Sequence, residues 1–256
     1  MNRDIKIEVC AGGYADCVAA KQGGADRVEL NGAFALGGLT PTVPVPVLKK
    51  VKRDTGLEVI AMVRPRAGGF CYDADEKEIM FAEARNLLEN GADGLAFGFL
   101  NANGGIDLEN TRKMVELIHR HRGTAVFHRA IDVTPDIDAA VQMLIDLGVD
   151  RVLTSGQKAK ALNGAGVIAE LQEIYGDRIQ ILPGSGINAG NAAKILEKTG
   201  VSQLHASCRG YRPDPTTMGE DVSYAYLPAP HEGDYDVADA EAVRALRRAA
   251  DTAAAA

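Results

Sequence analysis

The chain has no tryptophan among its 256 residues, only four cysteines, and no apolar run near the roughly 20 residues that span a bilayer. A membrane partner is therefore not expected, and Met1–Asp4 has neither the basic nor the apolar part of an export signal, which predicts a cytoplasmic protein. Cys10, Cys17, Cys71 and Cys208 are too few and too scattered for a disulfide framework, and no pair has CxxC spacing. They are read as free thiols, so any metal role needs residues that the fold brings together. Basic charge is in deficit: 28 Lys and Arg face 35 Asp and Glu, a net charge of −7 that argues against a surface tracking a phosphate backbone and so against nucleic acid. GxSxG, HExxH and P-loop patterns are missing. Imine chemistry lacks a lysine near the carboxyl end of a strand, since Lys6 sits at the wrong end of the first one.

What is present is a regular alternation. Strands are predicted at Ile5–Val9, Asp26–Asn31, Glu58–Arg64, Gly94–Gly98, Thr124–His128, Arg151–Ser155, Ile179–Pro183 and Gln203–Ser207. Helices are predicted near Tyr14–Gln22, Val43–Asp54, Asp75–Glu89, Glu109–Arg122, Pro135–Leu147, Gly164–Tyr175, Asn188–Lys198 and Val237–Ala249. The phrases GGADRVEL, NGADGLAF and LGVDRVLT repeat one join of helix end to strand, with glycine closing the helix and Asp opening the next segment. Eight strands each followed by a helix fit a single TIM (β/α)8 barrel over residues 1–251, whereas doubly wound sheets usually stop at five to seven strands. Tyr211–Tyr235 reads as the loop after strand eight and 252–256 as a disordered tail.

In such a barrel the helices cover the outer side of the sheet, which must be apolar, and strand residues alternate between its faces. Ile5, Ile7, Val9, Val28, Leu30, Val152 and Thr154 go outward. Glu8, Cys10, Glu29, Asn31, Arg64, His128, Leu153, Ser155 and His205 then point inward, and a catalytic set of Glu8, Glu29, Arg64, His128 and His205 converges near the carboxyl ends of the strands, where barrel enzymes keep their sites. The bland alternative makes Glu8, Glu29 and Arg64 a buried ion network that plugs the barrel. A second feature is the turn LPGSGIN at Leu182–Asn188, followed after strand eight by SCRG at Ser207–Gly210. Here Gly184, Ser185, Gly186 and Ser207 form a candidate anion site, joined by Ser155 and Lys158 from the sixth loop; the same glycines also serve tight turns.

The segments IEVC, GADRVELN, GGLTPT, VRPRAGGFCY, FHRAID, RVLTSGQ, PGSGI and LHAS, running in order from Ile7 to Ser207, resemble the CutC family of copper homeostasis proteins. The resemblance implies a TIM barrel, a cytoplasmic role in copper handling with copper as the bound metal, and a homodimer or higher homo-oligomer. It places Cys10 and Cys71 at family cysteine positions as candidate metal ligands. It also exposes departures: Asn31 and Leu36 stand where the family usually has Cys and Glu, Gly69 where Asp is common, and Ser185 within a usual glycine triplet. An amide does not replace a thiolate for Cu(I), so copper binding is expected to be weaker than in relatives that keep the cysteine.

Two functions thus stand open. One is copper binding through Cys10, Cys71, His128 and His205. The other is a lyase, aldolase or isomerase acting on a small phosphorylated or carboxylated substrate: the anion would sit at Gly184–Gly186 and Ser207–Gly210, while at the reactive end, beside Arg64, Glu8 or Glu29 would take a proton and His128 or His205 would polarise or protonate the adjoining oxygen.

Overall fold

The structure is a computed structural model, described here over residues 4–33 and 42–255. Eight strands alternate with helices: β1 (Lys6–Ala11), α1 (Tyr14–Gly23), β2 (Arg27–Leu30), α2 (Val45–Thr55), β3 (Glu58–Met62), α3 (Ala74–Glu89), β4 (Gly94–Phe97) and α4 (Leu108–Arg120) make the first half. The second half runs β5 (Thr124–Phe127), α5 (Ile137–Asp146), β6 (Arg151–Thr154), α6 (Ala165–Tyr175), β7 (Gln180–Pro183), α7 (Ala192–Thr199) and β8 (Gln203–Ala206), and α8 (Ala240–Ala255) closes the chain. All strands pair in parallel in the order β7-β6-β5-β4-β3-β2-β1-β8, and β8 lies against β7, so the sheet curls into a (β/α)8 barrel.

The repeated join has a definite mechanism. Gly24, Gly91 and Gly148 take left-handed φ values of 89°, 98° and 80°, which turn the chain out of each helix at little steric cost. Two residues later Asp26, Asp93 and Asp150 each reach back to the strand before. Their Oδ2 atoms accept the backbone N–H of Ile7, Val59 and Ala125 at 2.7 Å, while their own N–H groups donate to the carbonyls of the same three residues. One short phrase thereby stops a helix and sets the next strand beside its neighbour. Helix starts are signalled as locally: Asp73 and Glu76 form a reciprocal cap on α3, and Asp107 and Asp136 cap α4 and α5.

The predicted facing holds. Ile5, Ile7, Val9, Val28, Leu30 and Val152 are buried in the layer between sheet and helices. Inside the barrel Ile60, Met62, Ala96 and Val126 form a separate apolar plug. Among the described residues no helix is long and apolar enough to cross a membrane.

Three local expectations need correction. The stretch read as a loop after strand eight carries an antiparallel hairpin at its ends, β9 (Arg209–Pro213) and β10 (Asp234–Ala238), with Tyr211 opposite Asp236. Its strands are short, β9 is mostly exposed and β10 buries a run, Asp236–Ala238, rather than every second residue, so no apolar alternation marks them. The hairpin is tied to the barrel through the buried Asp16, which accepts from Ala238 N and Gly12 N, both at 2.9 Å. The last helix consequently starts at Ala240 rather than Val237. Finally, Thr252–Ala255 belong to α8 and are not a tail, because Ala253 and Ala254 still pack on the core. Leu36 lies outside the described residues.

Candidate functional site

A cavity of about 230 Å³ opens at the carboxyl ends of the strands. Of the inward set, Glu29, Arg64, His128 and His205 line it, together with Cys10, Arg129, Phe70, Ser185, Gly186, Ser207 and Arg209. Glu8 lies beneath this floor rather than on it. Strand register explains why: Glu8 stands opposite Arg27 on β2 and opposite His205 on β8, and one step up Cys10 stands opposite Glu29.

The buried Glu8 carboxylate divides its oxygens between those neighbours. Oε2 accepts from Arg27 Nε, and Oε1 meets His205 Nδ1 at 2.7 Å. Arg27 Nη2 also donates to Gln203 Oε1 at 2.9 Å. Burial alone would raise the Glu8 pKa, but the Arg27 guanidinium and the His205 imidazole outweigh it and hold the carboxyl far below its usual range. The guanidinium paired with Glu8 is thus that of Arg27, where Arg64 was one candidate. The alternation that placed Glu29 inward also applies to Arg27 two residues earlier, so this partner was legible in the sequence.

His205, fixed by Glu8 at Nδ1, lines the cavity. Burial works against its charge, yet Glu29, the Cys10 contact and Glu8 together lift its pKa well above the ordinary value. Burial raises the pKa of Cys10, and burial with the nearby Glu8 raises that of Glu29. Asn31 Nδ2 donates to Cys10 Sγ at 3.3 Å. Ligand atoms of Cys10, Glu29 and His205 all lie within 4.8 Å of one another, a spacing that one metal ion can bridge.

Cys71 is exposed and is not part of this cluster. It lies in the loop after β3, and its carbonyl accepts from Arg66 Nη2 at 3.2 Å. Gly184 also lies off the cavity wall: a Cβ there would come within 2.6 Å of Leu153 Cδ1 and 3.3 Å of His205 Cδ2, so the glycine makes room for the imidazole. Ser185, where the family pattern has glycine, takes a left-handed φ of 84° and donates through Oγ to Ala159 O at 2.7 Å. Ser155 is fully buried behind the wall, and Lys158, which is exposed, accepts with its carbonyl from Ser155 Oγ.

Across the barrel from β1, the end of β5 leads into a single 3-10 turn, Arg129–Val133. His128 Nδ1 accepts from Ala130 N at 3.2 Å, and its ring packs 4.9 Å from that of Phe70. Burial, with the Arg64 charge second, pushes the His128 pKa down to about 3, so the imidazole is neutral near pH 7. Arg64 itself lies 4.7 Å over the Phe70 ring and donates to Gly68 O. Arg129, which strand alternation could not reach because it follows the strand, donates through Nε to Asp132 Oδ2 and through Nη2 to Ser155 Oγ, both at 2.8 Å. Its spacing to Asp132 in FHRAID was the available signal.

Comparison with known proteins bears on all of this. The CutC family model matches residues 5–210. A CutC family protein of Treponema denticola is 47% identical over 222 residues, covering 87% of this chain and 89% of the relative. A Streptococcus agalactiae crystal structure of a protein named CutC, for copper homeostasis, superposes with a TM-score of 0.74 at 31% identity, over 79% of this chain and 98% of that one. The Zymomonas mobilis 2-keto-3-deoxy-6-phosphogluconate aldolase, at 16% identity and a TM-score of 0.53 over 98% of this chain and 93% of its own, shares the fold alone.

Proposed function

The chain belongs to the CutC family, and on that premise we propose that it binds a copper ion in the mouth of its barrel through Cys10, His205 and Glu29, in the service of cytoplasmic copper homeostasis. The observation that carries the reading is the approach of one sulfur, one nitrogen and one oxygen ligand to within 4.8 Å of each other. Copper suits that set in either valence. Thiolate and imidazole are ligands of Cu(I), and among the divalent first-row ions Cu(II) binds mixed nitrogen, oxygen and sulfur sites most tightly. Glu8 supports the reading from below, since a metal-bound histidine usually gives its other N–H to a carboxylate, which fixes the tautomer and the ring. The name of the S. agalactiae relative points the same way. The scattered free cysteines favour the cytoplasm.

Asn31 limits the site. Its amide hydrogen-bonds to Cys10 Sγ and supplies no second thiolate, so Cu(I) is held less firmly than by a two-sulfur site. Anaerobic titration against a colorimetric Cu(I) chelator tests the assignment. One equivalent of copper is expected, with Cys10→Ser and His205→Ala each weakening it by about tenfold or more and Cys71→Ser leaving it unchanged. Stoichiometric binding that survives in a folded Cys10→Ser/His205→Ala double variant would sink the proposal.

A further inference from the structure

The copper ligands use one wall of the cavity. The wall facing them has a different chemistry, and its most informative member is His128. Because Nδ1 accepts the Ala130 N–H, the single proton of the neutral ring belongs on Nε2. That nitrogen is buried and meets no hydrogen-bond partner among the described residues. The ring cannot turn to relieve this: its Cε1 and Nδ1 edge presses on Gly98, where a Cβ would come within 2.4 Å of Cε1. A buried donor with no protein partner is costly, and a ligand oxygen or an ordered water at the atom relieves that cost.

Beside it Arg129 is held ready. Its Nε and Nη2 are occupied by Asp132 and Ser155. Asp132 is itself locked by Thr154 Oγ1 at 2.6 Å and by Ser155 N at 3.0 Å. Among the described residues its Nη1 has no hydrogen bond, and the side chain lines the cavity while about a third exposed. Arg64, which donates to Gly68 O, and Arg209, which is paired with the buried Asp236 at 3.4 Å, bring two more guanidinium groups to the same lining. From the β7 and β8 ends, Gly186 and Ser207 also line it.

We propose that this half of the cavity binds a small organic oxyanion, a carboxylate or a phosphate monoester, with one oxygen received by His128 Nε2–H and its charge met by Arg129. A metal ion alone fills little of about 230 Å³. The low pKa of His128 agrees with a donor that stays neutral across the physiological range. The proposal does not rest on the copper reading, since it uses other residues.

The test is thermal denaturation of metal-free protein in inorganic phosphate or succinate, with sodium chloride at the same ionic strength as the control. The expected result is a higher melting temperature in one of the two anions and none in chloride, the responding probe telling phosphate from carboxylate recognition. Arg129→Met is expected to weaken binding of that probe about tenfold or more, Arg129→Lys to restore part of it, and an Arg178→Met control on the exposed α6 side to change nothing. Imidazole 15N spectra give a second readout, in which the probe shifts the Nε2–H signal of His128. No response to either anion, or an equal response in a folded Arg129→Met protein, overturns the proposal. Copper is absent throughout, so the outcome of the copper titration leaves this one untouched.

Discussion

Replacing His128 by Asn should flatten the acid limb of the stability curve. Asn keeps an oxygen that can accept the Ala130 N–H and removes the titrating ring. In the unfolded chain a histidine takes up its proton near pH 6.5; in the folded barrel His128 resists until about pH 3, because it is buried and Arg64 stands by. Between those values the unfolded state binds the proton and the folded state does not, so stability is lost as the pH falls. With 1.36 kcal/mol per pKa unit, the loss is about 2 kcal/mol at pH 5 and about 4 kcal/mol at pH 3. That is a large part of the 5–15 kcal/mol typical of a folded domain. His205 has the opposite sign: its raised pKa gives a stabilisation that is full below pH 6.5 and is lost as the pH rises. It is common to both proteins and cancels in their difference. Urea unfolding at pH 7 and pH 5 should therefore show the parent losing about 2 kcal/mol more than His128→Asn over that interval. Parallel curves for the two proteins would refute the burial and neutrality assigned to His128.

Arg27→Met should leave Glu8 buried with only His205 for a partner and cost about 3–5 kcal/mol at pH 7, seen as a large fall in melting temperature. Adding Glu8→Gln to that variant should recover part of the loss, since no bare charge then remains, and a double-mutant cycle measures the coupling. Gly98→Ala should cost about 1–3 kcal/mol by urea unfolding, because the new Cβ would meet His128 Cε1 at 2.4 Å and Ala130 Cβ at 2.7 Å.

How far the sequence reaches can be followed residue by residue. The glycine and aspartate of each repeated join act within a few positions of chain, so the helix ends and strand starts were readable and the eight strands lie within one or two residues of their predicted limits. Facing was readable for a like reason. Ile7 and Val9 need the apolar layer, and the two-residue period then sends Glu8 and Cys10 inward without any knowledge of the neighbours. The direction of Arg129 and the β9–β10 hairpin were not readable from the strand period. Each lies past a strand end, where the period stops constraining direction.

The amino-acid sequence by itself determined the alternation of elements, the closed parallel architecture and the set of polar side chains turned into the barrel, because propensity, capping and periodicity are local. Only the tertiary structure decided who meets whom. Closing the sheet brings β8, the last barrel strand in the chain, beside β1, and the register of β8, β1 and β2 sets Glu8 between Arg27 and His205 and Cys10 against Glu29. A slip by one residue would leave each strand's pattern intact and break every one of those pairs. The same holds for Cys71, which lies past the end of β3, where the strand period gives no direction: the loop carries its side chain to the surface, whereas Cys10 lines the cavity.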